Sequence, residues 1–324
     1  MTLLPEKETF VQIADLWYDD GSVVLQAGSA RFRVHRSILS KHSHFLKTTF
    51  SLPQVQLPES ETYEDCPIVR VTDSEEDWEH YLRAIYEWQY FRPGRKAKFE
   101  VVAGVARLST KYESPHLLQR AIDHLVSTFP SSSAAWNFRK DSRLIPPIPD
   151  EFATYLRLAL ECNIQIILPA LYFYACQLPV AETMRALHSV QQSTETDLST
   201  NFVVGRDRLR EAETTHTLAF LIWGFRFPGC SQNCNTSQGL AKARSEALKR
   251  STGTETYVQW CITHAGEVGA HHGFCKTCCK TIEEGIQGGR EKVWEKLPEF
   301  FGLSDWETLR KEALVFDESA DLGG

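Results

Sequence analysis

The first 75 residues switch between two hydrophobic spacings. Two short apolar runs, residues 22–27 and 30–34, flank a Gly-Ser dipeptide, which predicts a β-hairpin. Residues 35–50 carry apolar side chains every three or four positions, as a helix facing a core does. A third apolar run at 67–71 predicts another strand. This part of the chain therefore combines a small sheet with helices.

The next segments keep the helical spacing. Ser74, followed three positions later by Asp77, predicts a helix start. Further helices are predicted at 99–108 and, from Ser114 and Pro115, to residue 129. The inward face of the helix after Ser74 is predicted to consist of Trp78, Tyr81, Leu82, Ile85 and Trp88.

Beyond residue 130 the pattern is helical, with one interruption near its start. Serines at 131–133 and prolines between 146 and 149 break the periodicity and predict a linker. Residues 179–205 are polar and are interpreted as a loop. The predicted helices are 151–162, 169–176, 207–225, 238–250, 275–286 and 306–314.

These patterns predict a chain of two parts. Residues 10–130 form an α+β domain of short strands with a helical cluster, and 131–150 form a linker. A mostly α-helical C-terminal domain follows at 151–316, and an acidic flexible tail occupies 317–324. At 324 residues and 42% hydrophobic, the chain can bury a core in each domain.

Two sequence blocks carry a family resemblance. Residues 20–50 resemble the opening block of BTB/POZ domains, and residues 69–86 resemble the second block of that family. Their sequences are DGSVVLQAGSARFRVHRSILSKHSHFLKTTF and VRVTDSEEDWEHYLRAIY. Residues 168–179 and 293–309 are similar to the BTB proteins that are numerous in fungi. The resemblance implies a non-enzymatic module that binds other proteins.

The BTB resemblance includes one departure. Many animal BTB domains carry an aspartate thirteen residues before the histidine matched by His35, and this chain has Ser22 there, with Asp19 and Asp20 just upstream. In animal transcription factors that aspartate helps form a charged peptide-binding pocket at the dimer interface. His35 and Arg36 are interpreted as hydrogen-bonded packing residues rather than catalytic groups.

The resemblance also implies two interaction surfaces. BTB domains commonly dimerise through an N-terminal helix, and Phe10, Ile13 and Trp17 fall at helical spacing, although so short a segment can instead pack on its own domain. Some BTB proteins recruit cullin ubiquitin ligases through a loop that Leu57 and Glu59 resemble. Self-association and cullin binding are both expectations.

Charge and hydropathy exclude some function classes. The formal charge of −7 disfavours nucleic-acid binding, which needs basic clusters to neutralise phosphates. The one basic patch is interpreted as a solvated loop and consists of Arg92, Arg95, Lys96 and Lys98. Polar residues and prolines interrupt the most apolar segment, 164–181, so it predicts a buried helix and no membrane span. The N-terminus lacks a secretory signal pattern, so a cytoplasmic or nuclear protein is expected.

Six of the nine cysteines fall between residues 230 and 279. The close pairs Cys230/Cys234 and Cys275/Cys278 can present four thiolates to one structural zinc ion. Zinc loss would then unfold the chain from about residue 228 onward. Two alternatives remain open, namely buried core thiols at helical spacing and a redox or catalytic cysteine. Other candidate ligands in this region are Cys261, His264, His271, His272 and Cys279.

The function predicted from the sequence is a protein-interaction scaffold or adaptor that acts through the BTB domain, with cullin as one candidate partner. No nucleophile motif, phosphate loop or dinucleotide glycine pattern argues for an enzyme. The alternative is a transcriptional co-regulator with a zinc-stabilised C-terminal module.

Overall fold

The computed structural model describes residues 10–52, 62–191, 197–222, 225, 227–230, 234–250 and 256–314. Within them, no helix is both long and apolar enough to span a membrane.

A five-stranded sheet forms one layer of the N-terminal domain, in the order β1-β3-β2-β5-β4. Strands β2 and β3 form the predicted antiparallel hairpin, while β1 pairs in parallel with β3 and β5 in parallel with β2. Gly28 takes a φ of 52° in the hairpin turn, where a residue without a Cβ is favoured. The strands are β1 Val11–Trp17, β2 Val23–Ala27, β3 Ala30–Val34, β4 Thr62–Tyr63 and β5 Cys66–Val71.

Five helices accompany this sheet, and α3 and α5 begin at the predicted signals. The Ser74 hydroxyl accepts a hydrogen bond from the Asp77 amide at 3.1 Å, as the capping pattern predicts. Ser43 caps α2 in the same way through the Leu46 amide. The helices are α1 Arg36–His42, α2 His44–Ser51, α3 Glu75–Tyr86, α4 Phe99–Lys111 and α5 Pro115–Thr128.

Two predictions for this domain were wrong. The segment with helical spacing is extended instead: Ile13 and Trp17 lie in strand β1, and Phe10 directly precedes it. So short a helix is marginal alone, and the edge of β3 supplies backbone partners. The second concerns Trp88. Helix α3 ends at Tyr86, and Trp88 is 66% exposed rather than part of the inward face.

The predicted linker at 131–150 is structured. It contains helix α6, Ser133–Ser142, which buries Trp136. Ile145 is fully buried in the core. The Leu144 carbonyl accepts a hydrogen bond from the Ala97 amide at 2.9 Å. These residues therefore pack against the first domain instead of spacing it from the second. The predicted tail at 317–324 lies outside the described residues.

The C-terminal region is helical, as predicted. Its helices are α7 Glu151–Glu161, α8 Leu168–Ala175, α9 Val180–Gln191, α10 Leu198–Ala212, α11 Thr236–Lys249, α12 Tyr257–Thr263, α13 Ala265–His271, α14 Lys276–Glu295, α15 Leu297–Phe300 and α16 Trp306–Ala313. Helix α8 is short and almost entirely buried, as predicted for the most apolar segment.

The predicted polar loop at 179–205 was wrong where the structure describes it. Helix α9 occupies its first half and buries Thr183, Leu187 and Val190, which share one helical face. Helix α10 starts at Leu198, nine positions before the helix predicted at 207, and passes into a π-helical turn at Glu213–Thr217. A face of only three inward residues was too sparse to stand out among polar neighbours.

Buried side chains form two separate hydrophobic cores. The large core runs from Leu16 to Leu309 and joins the BTB-like domain to α7–α10 and α14–α16. The small core contains residues between Leu218 and Ile286. Helix α14 belongs to both, because Ile282 and Ile286 lie in the small core and Val293 and Trp294 lie in the large one.

Candidate metal centre and interaction domain

The four cysteines predicted as zinc ligands lie together. The Sγ atoms of Cys230, Cys234, Cys275 and Cys278 all fall within 4.8 Å of one another, and those of Cys230 and Cys278 are 3.3 Å apart. Zn–S bonds of about 2.3 Å in a tetrahedron place sulfur atoms about 3.8 Å apart. The spacing of the four thiols therefore fits a single tetrahedral ion.

A tight turn at residues 227–230 positions Cys230, the first cysteine of the first pair. Gly229 takes a φ of 69°, and the Cys230 amide donates a hydrogen bond to the Phe227 carbonyl at 3.3 Å. The Phe227 ring packs on Phe274 with ring centroids 5.4 Å apart, so the turn rests on the small core. Cys234 is joined to the second pair, because its Sγ accepts a hydrogen bond from the Cys275 amide at 3.4 Å.

The start of helix α14 positions the second pair, Cys275 and Cys278. Cys275 is the N-cap residue and Cys278 lies in the first turn, so both thiols face the same side of the helix end. The positive end of the helix dipole favours negative charge there, which suits two thiolates. The sequence shows the spacing within each pair. It does not show that the two pairs meet, because Cys234 and Cys275 are 41 residues apart along the chain.

Burial and neighbouring thiols both oppose loss of protons at this cluster. Desolvation, followed by hydrogen bonds with Cys230, Cys275 and Cys234, raises the pKa of the Cys278 thiol. At Cys230 the hydrogen bond from Cys278 lowers the pKa, but desolvation and the thiols of Cys234 and Cys275 outweigh it. A divalent cation at the centre reverses this balance, because it binds the thiolates.

The remaining cysteines of this region, Cys261 and Cys279, pack in or against the small core. Cys261 is fully buried, and burial raises the pKa of its thiol to about 12. The Cys279 thiol donates to the Phe274 carbonyl at 3.5 Å and is not one of the four clustered thiols. Cys279 also packs closely against Gly269, where an added Cβ would lie 2.6 Å from the Cys279 Cα. For Cys261 the buried-thiol alternative describes the structure, whereas Cys279 is half-buried and packs against the small core.

The histidines of this region make contacts of their own. His272 is buried and its Nε2 hydrogen-bonds with the Tyr257 hydroxyl at 2.8 Å. Burial lowers the pKa of His272 to about 4, so this histidine stays neutral. His264 Nδ1 contacts the Trp260 carbonyl at 3.1 Å, and His271 packs on the Trp260 ring. None of these histidines belongs to the four-thiol cluster.

In the N-terminal domain, His35 is a packing residue, as interpreted. The Tyr86 hydroxyl accepts a hydrogen bond from the His35 amide at 2.9 Å and contacts its Nδ1 at 3.2 Å. The His35 Nε2 lies 3.1 Å from a carboxylate oxygen of Asp20. Ser22, at the position of the animal aspartate, accepts a hydrogen bond from the Arg36 amide at 3.0 Å. Asp20 therefore supplies the carboxylate beside His35.

Asp73 follows β5 and ties it to the end of α4. Its carboxylate accepts hydrogen bonds from Lys111 at 2.6 Å and from the Tyr112 hydroxyl at 2.7 Å. Burial raises the pKa of Asp73, but these hydrogen bonds outweigh it and leave the pKa below its usual value. The aspartate of the second sequence block is thus a structural tie between strand and helix.

The predicted interaction residues differ in their surroundings. The Arg31 guanidinium lies 3.6 Å from the Phe10 ring centroid, and the Trp17 ring meets Tyr63 edge-on at 5.5 Å. Ile13 is partly buried against the large core. These contacts all fall within the domain. Leu57 and Glu59 lie outside the described residues.

Comparison with protein families decides what this N-terminal domain is. The family model of the BTB/POZ domain matches residues 20–128. Residues 20–128 form a BTB/POZ domain. The match covers the hairpin, β5 and α1–α5, and it ends just before α6. Searches of curated proteins and of solved structures found no significant match to the chain.

Proposed function

We propose that the protein is a non-enzymatic adaptor whose BTB domain binds one protein and whose helical region presents another. The observation that carries the proposal is the BTB/POZ match at residues 20–128. The contacts of His35 and Asp73 support it, because they are structural ones that hold strands and helices together. The large core shared by the BTB domain and the helical region supports a fixed spacing between two binding surfaces.

A cullin is the first candidate partner of the BTB domain. The apolar-x-Glu element of Leu57 and Glu59 supports this, as does the exposed apolar surface just before it, where Phe45 is 46% and Leu52 60% exposed. Leu57→Asp should abolish cullin capture from a lysate by the full chain. Leu314→Asp, at an exposed leucine in a different segment, is the control and should capture as the wild type does. Failure of the wild-type chain to capture a cullin at high concentration would contradict the cullin assignment, while the adaptor function would stand.

Self-association through the BTB domain is part of the same proposal. Strand β1 contains the candidate residues Ile13 and Trp17, follows Phe10 directly, and lies at one edge of the described sheet. Edge strands pair readily with a second chain. Light scattering that measures the mass of one chain, 36.9 kDa, at tens of micromolar would contradict it.

A structural zinc ion is the second proposal for this protein. The four-thiol cluster supports it, because its spacing fits the ion and its ligands come from two distant segments. Metal analysis of protein purified without a histidine tag should find one zinc per chain. Cys278→Ser should abolish the metal, since three ligands bind far more weakly than four.

Cys279→Ser is the matched control for this experiment. It changes the adjacent cysteine, whose thiol contacts the Phe274 carbonyl rather than the cluster, and zinc should be retained. Retention of zinc by Cys278→Ser, or no zinc in the wild-type protein, would contradict the assignment.

All nine cysteines lie within the described residues and none is part of a disulfide, which supports a reducing compartment. We therefore propose that the protein works in the cytoplasm or nucleus. The transcriptional alternative is not favoured, because the net charge of −7 opposes contact with nucleic acid.

A further inference from the structure

The loop between α3 and α4 displays an exposed tryptophan next to four cations. Trp88 is 66% exposed, and the Arg92 guanidinium lies 4.9 Å from its ring centroid. Arg92 also donates a hydrogen bond to the Gln89 side chain at 2.9 Å, which fixes its position. We call residues 88–98 the Trp88 loop. Its four cations are Arg92, Arg95, Lys96 and Lys98.

No described acidic residue pairs with the charges of the Trp88 loop. Its acidic neighbour Glu87 is already paired with Arg83. Since the whole chain carries −7, this loop is a positive patch on an otherwise acidic protein.

Hydrogen bonds on both sides hold the Trp88 loop in one shape. Phe91 is buried, and its carbonyl accepts a hydrogen bond from Arg120 at 2.7 Å. The Arg95 carbonyl contacts Nε2 of the buried His124 at 2.9 Å. The Tyr90 hydroxyl contacts Nδ1 of His80 at 2.7 Å. Binding therefore loses little conformational entropy, because the loop is ordered beforehand.

We propose that the Trp88 loop binds an acidic peptide segment of a partner protein. This inference deepens the adaptor proposal and rests on it, because it gives one binding surface and the charge of its partner. Tryptophan and arginine are the residues that most often dominate binding energy in protein interfaces. Residues 92–98 span at most about 20 Å, so one short extended peptide can reach all four cations. Carboxylates on the peptide pair with these cations while an apolar side chain covers the Trp88 ring.

Fluorescence anisotropy on the full chain tests this proposal. The probe is a fluorescein-labelled octapeptide, DEDLDEDE, at about 50 mM salt, where screening is weak. Its uncharged analogue, NQNLNQNQ, has nearly the same shape and no carboxylates. The acidic peptide should bind at least about tenfold more tightly than the analogue, because charge complementarity drives the contact.

Variants then assign the binding to this loop. Arg95→Glu combined with Lys96→Glu should weaken acidic-peptide binding at least about tenfold, and Trp88→Ala about fivefold or more. Phe138→Ala changes an equally exposed aromatic residue on α6, and Lys311→Glu reverses a charge on α16, so both should bind as the wild type does. Lys96→Arg should also retain binding, since it keeps the charge.

Three results would overturn the proposal. They are equal binding of the two peptides, undiminished binding by the Arg95/Lys96 double variant, and tighter binding of duplex DNA that the same variant abolishes. The last result would assign the loop to nucleic acid. Failure of the acidic peptide to bind would leave the cullin-capture experiment unaffected, because Leu57 and the Trp88 loop lie in different segments of the BTB domain.

Discussion

Asp73 illustrates how one residue of a family motif acts through its contacts. Its carboxylate joins the end of β5 to Lys111 and Tyr112 at the end of α4. The sequence block predicted a strand, an aspartate and a helix in that order, but α4 is 25 or more positions away along the chain. The partners of Asp73 became visible only in the folded structure.

Asp73→Asn should destabilise the protein by about 1–2 kcal/mol, because the amide loses the ion pair and keeps at most one hydrogen bond of similar strength. The folded-state pKa of Asp73 lies below the unfolded one, so this stabilisation is present above about pH 4 and is lost as the pH falls through the folded-state pKa. Urea unfolding at pH 7 and pH 3 measures both effects. Asp207→Asn, at an exposed position on α10, should change little at either pH, and an equal loss in both variants would contradict the role of Asp73.

At the scale of elements, helix α14 contains three glycines with different surroundings. An added Cβ at Gly289 would lie 2.3 Å from the His216 carbonyl oxygen of the π-helical turn. At Gly285 and Gly288 nothing lies within 4 Å of such a Cβ. Only Gly289 therefore permits the close approach of α14 to that turn.

Gly289→Ala should destabilise the protein by about 1–3 kcal/mol, because backbone atoms must move to admit the methyl group. Gly285→Ala and Gly288→Ala should instead stabilise it by up to about 1 kcal/mol, since alanine favours the helix. Thermal unfolding of the three single variants compares them within one helix. The same sign for all three changes would contradict the close packing at Gly289.

The elements show where sequence patterns were informative. The hairpin, the Ser74 cap and the paired cysteines depend on neighbours within a few positions, and all three were predictable. Strand β1 was not, because its conformation depends on the free edge of β3 rather than on its own spacing. Helix α9 has a sparse inward face among polar residues, and only packing against the rest of the helical region defines it. The exposure of Trp88 likewise follows from where α3 ends, which periodicity does not fix.

At the scale of the whole molecule, the two cores predict different responses to removal of the proposed zinc ion. The sequence alone predicted unfolding from about residue 228 onward without zinc. The structure narrows this expectation, because residues from Val293 to Leu309 belong to the large core. The small core, between Leu218 and Ile286, is the part that contains or contacts the four clustered cysteines.

Hydrogen exchange with and without a chelator should therefore separate the two ends of α14. Peptides covering 257–286 should lose protection when the metal is removed, because metal binding energy is folding energy there. Peptides covering 290–313 and the BTB domain should keep theirs. Loss of protection throughout the chain would show that the two cores unfold as one unit, and no change anywhere would contradict a structural metal.

The large core contains residues from both ends of the described chain, which affects folding during translation. Trp306 stacks on Trp294 at 6.1 Å, and the Trp294 indole donates to the Ser131 carbonyl at 3.2 Å. These contacts complete a core whose first residue is Leu16. The residues around Trp294 and Trp306 therefore leave the ribosome after nearly every other described residue of that core. The small core is complete in sequence by residue 286 and can form earlier. During translation the N-terminal half of the nascent chain therefore exposes apolar surface that α14–α16 later cover. We expect chaperones to bind this surface until α16 has been synthesised.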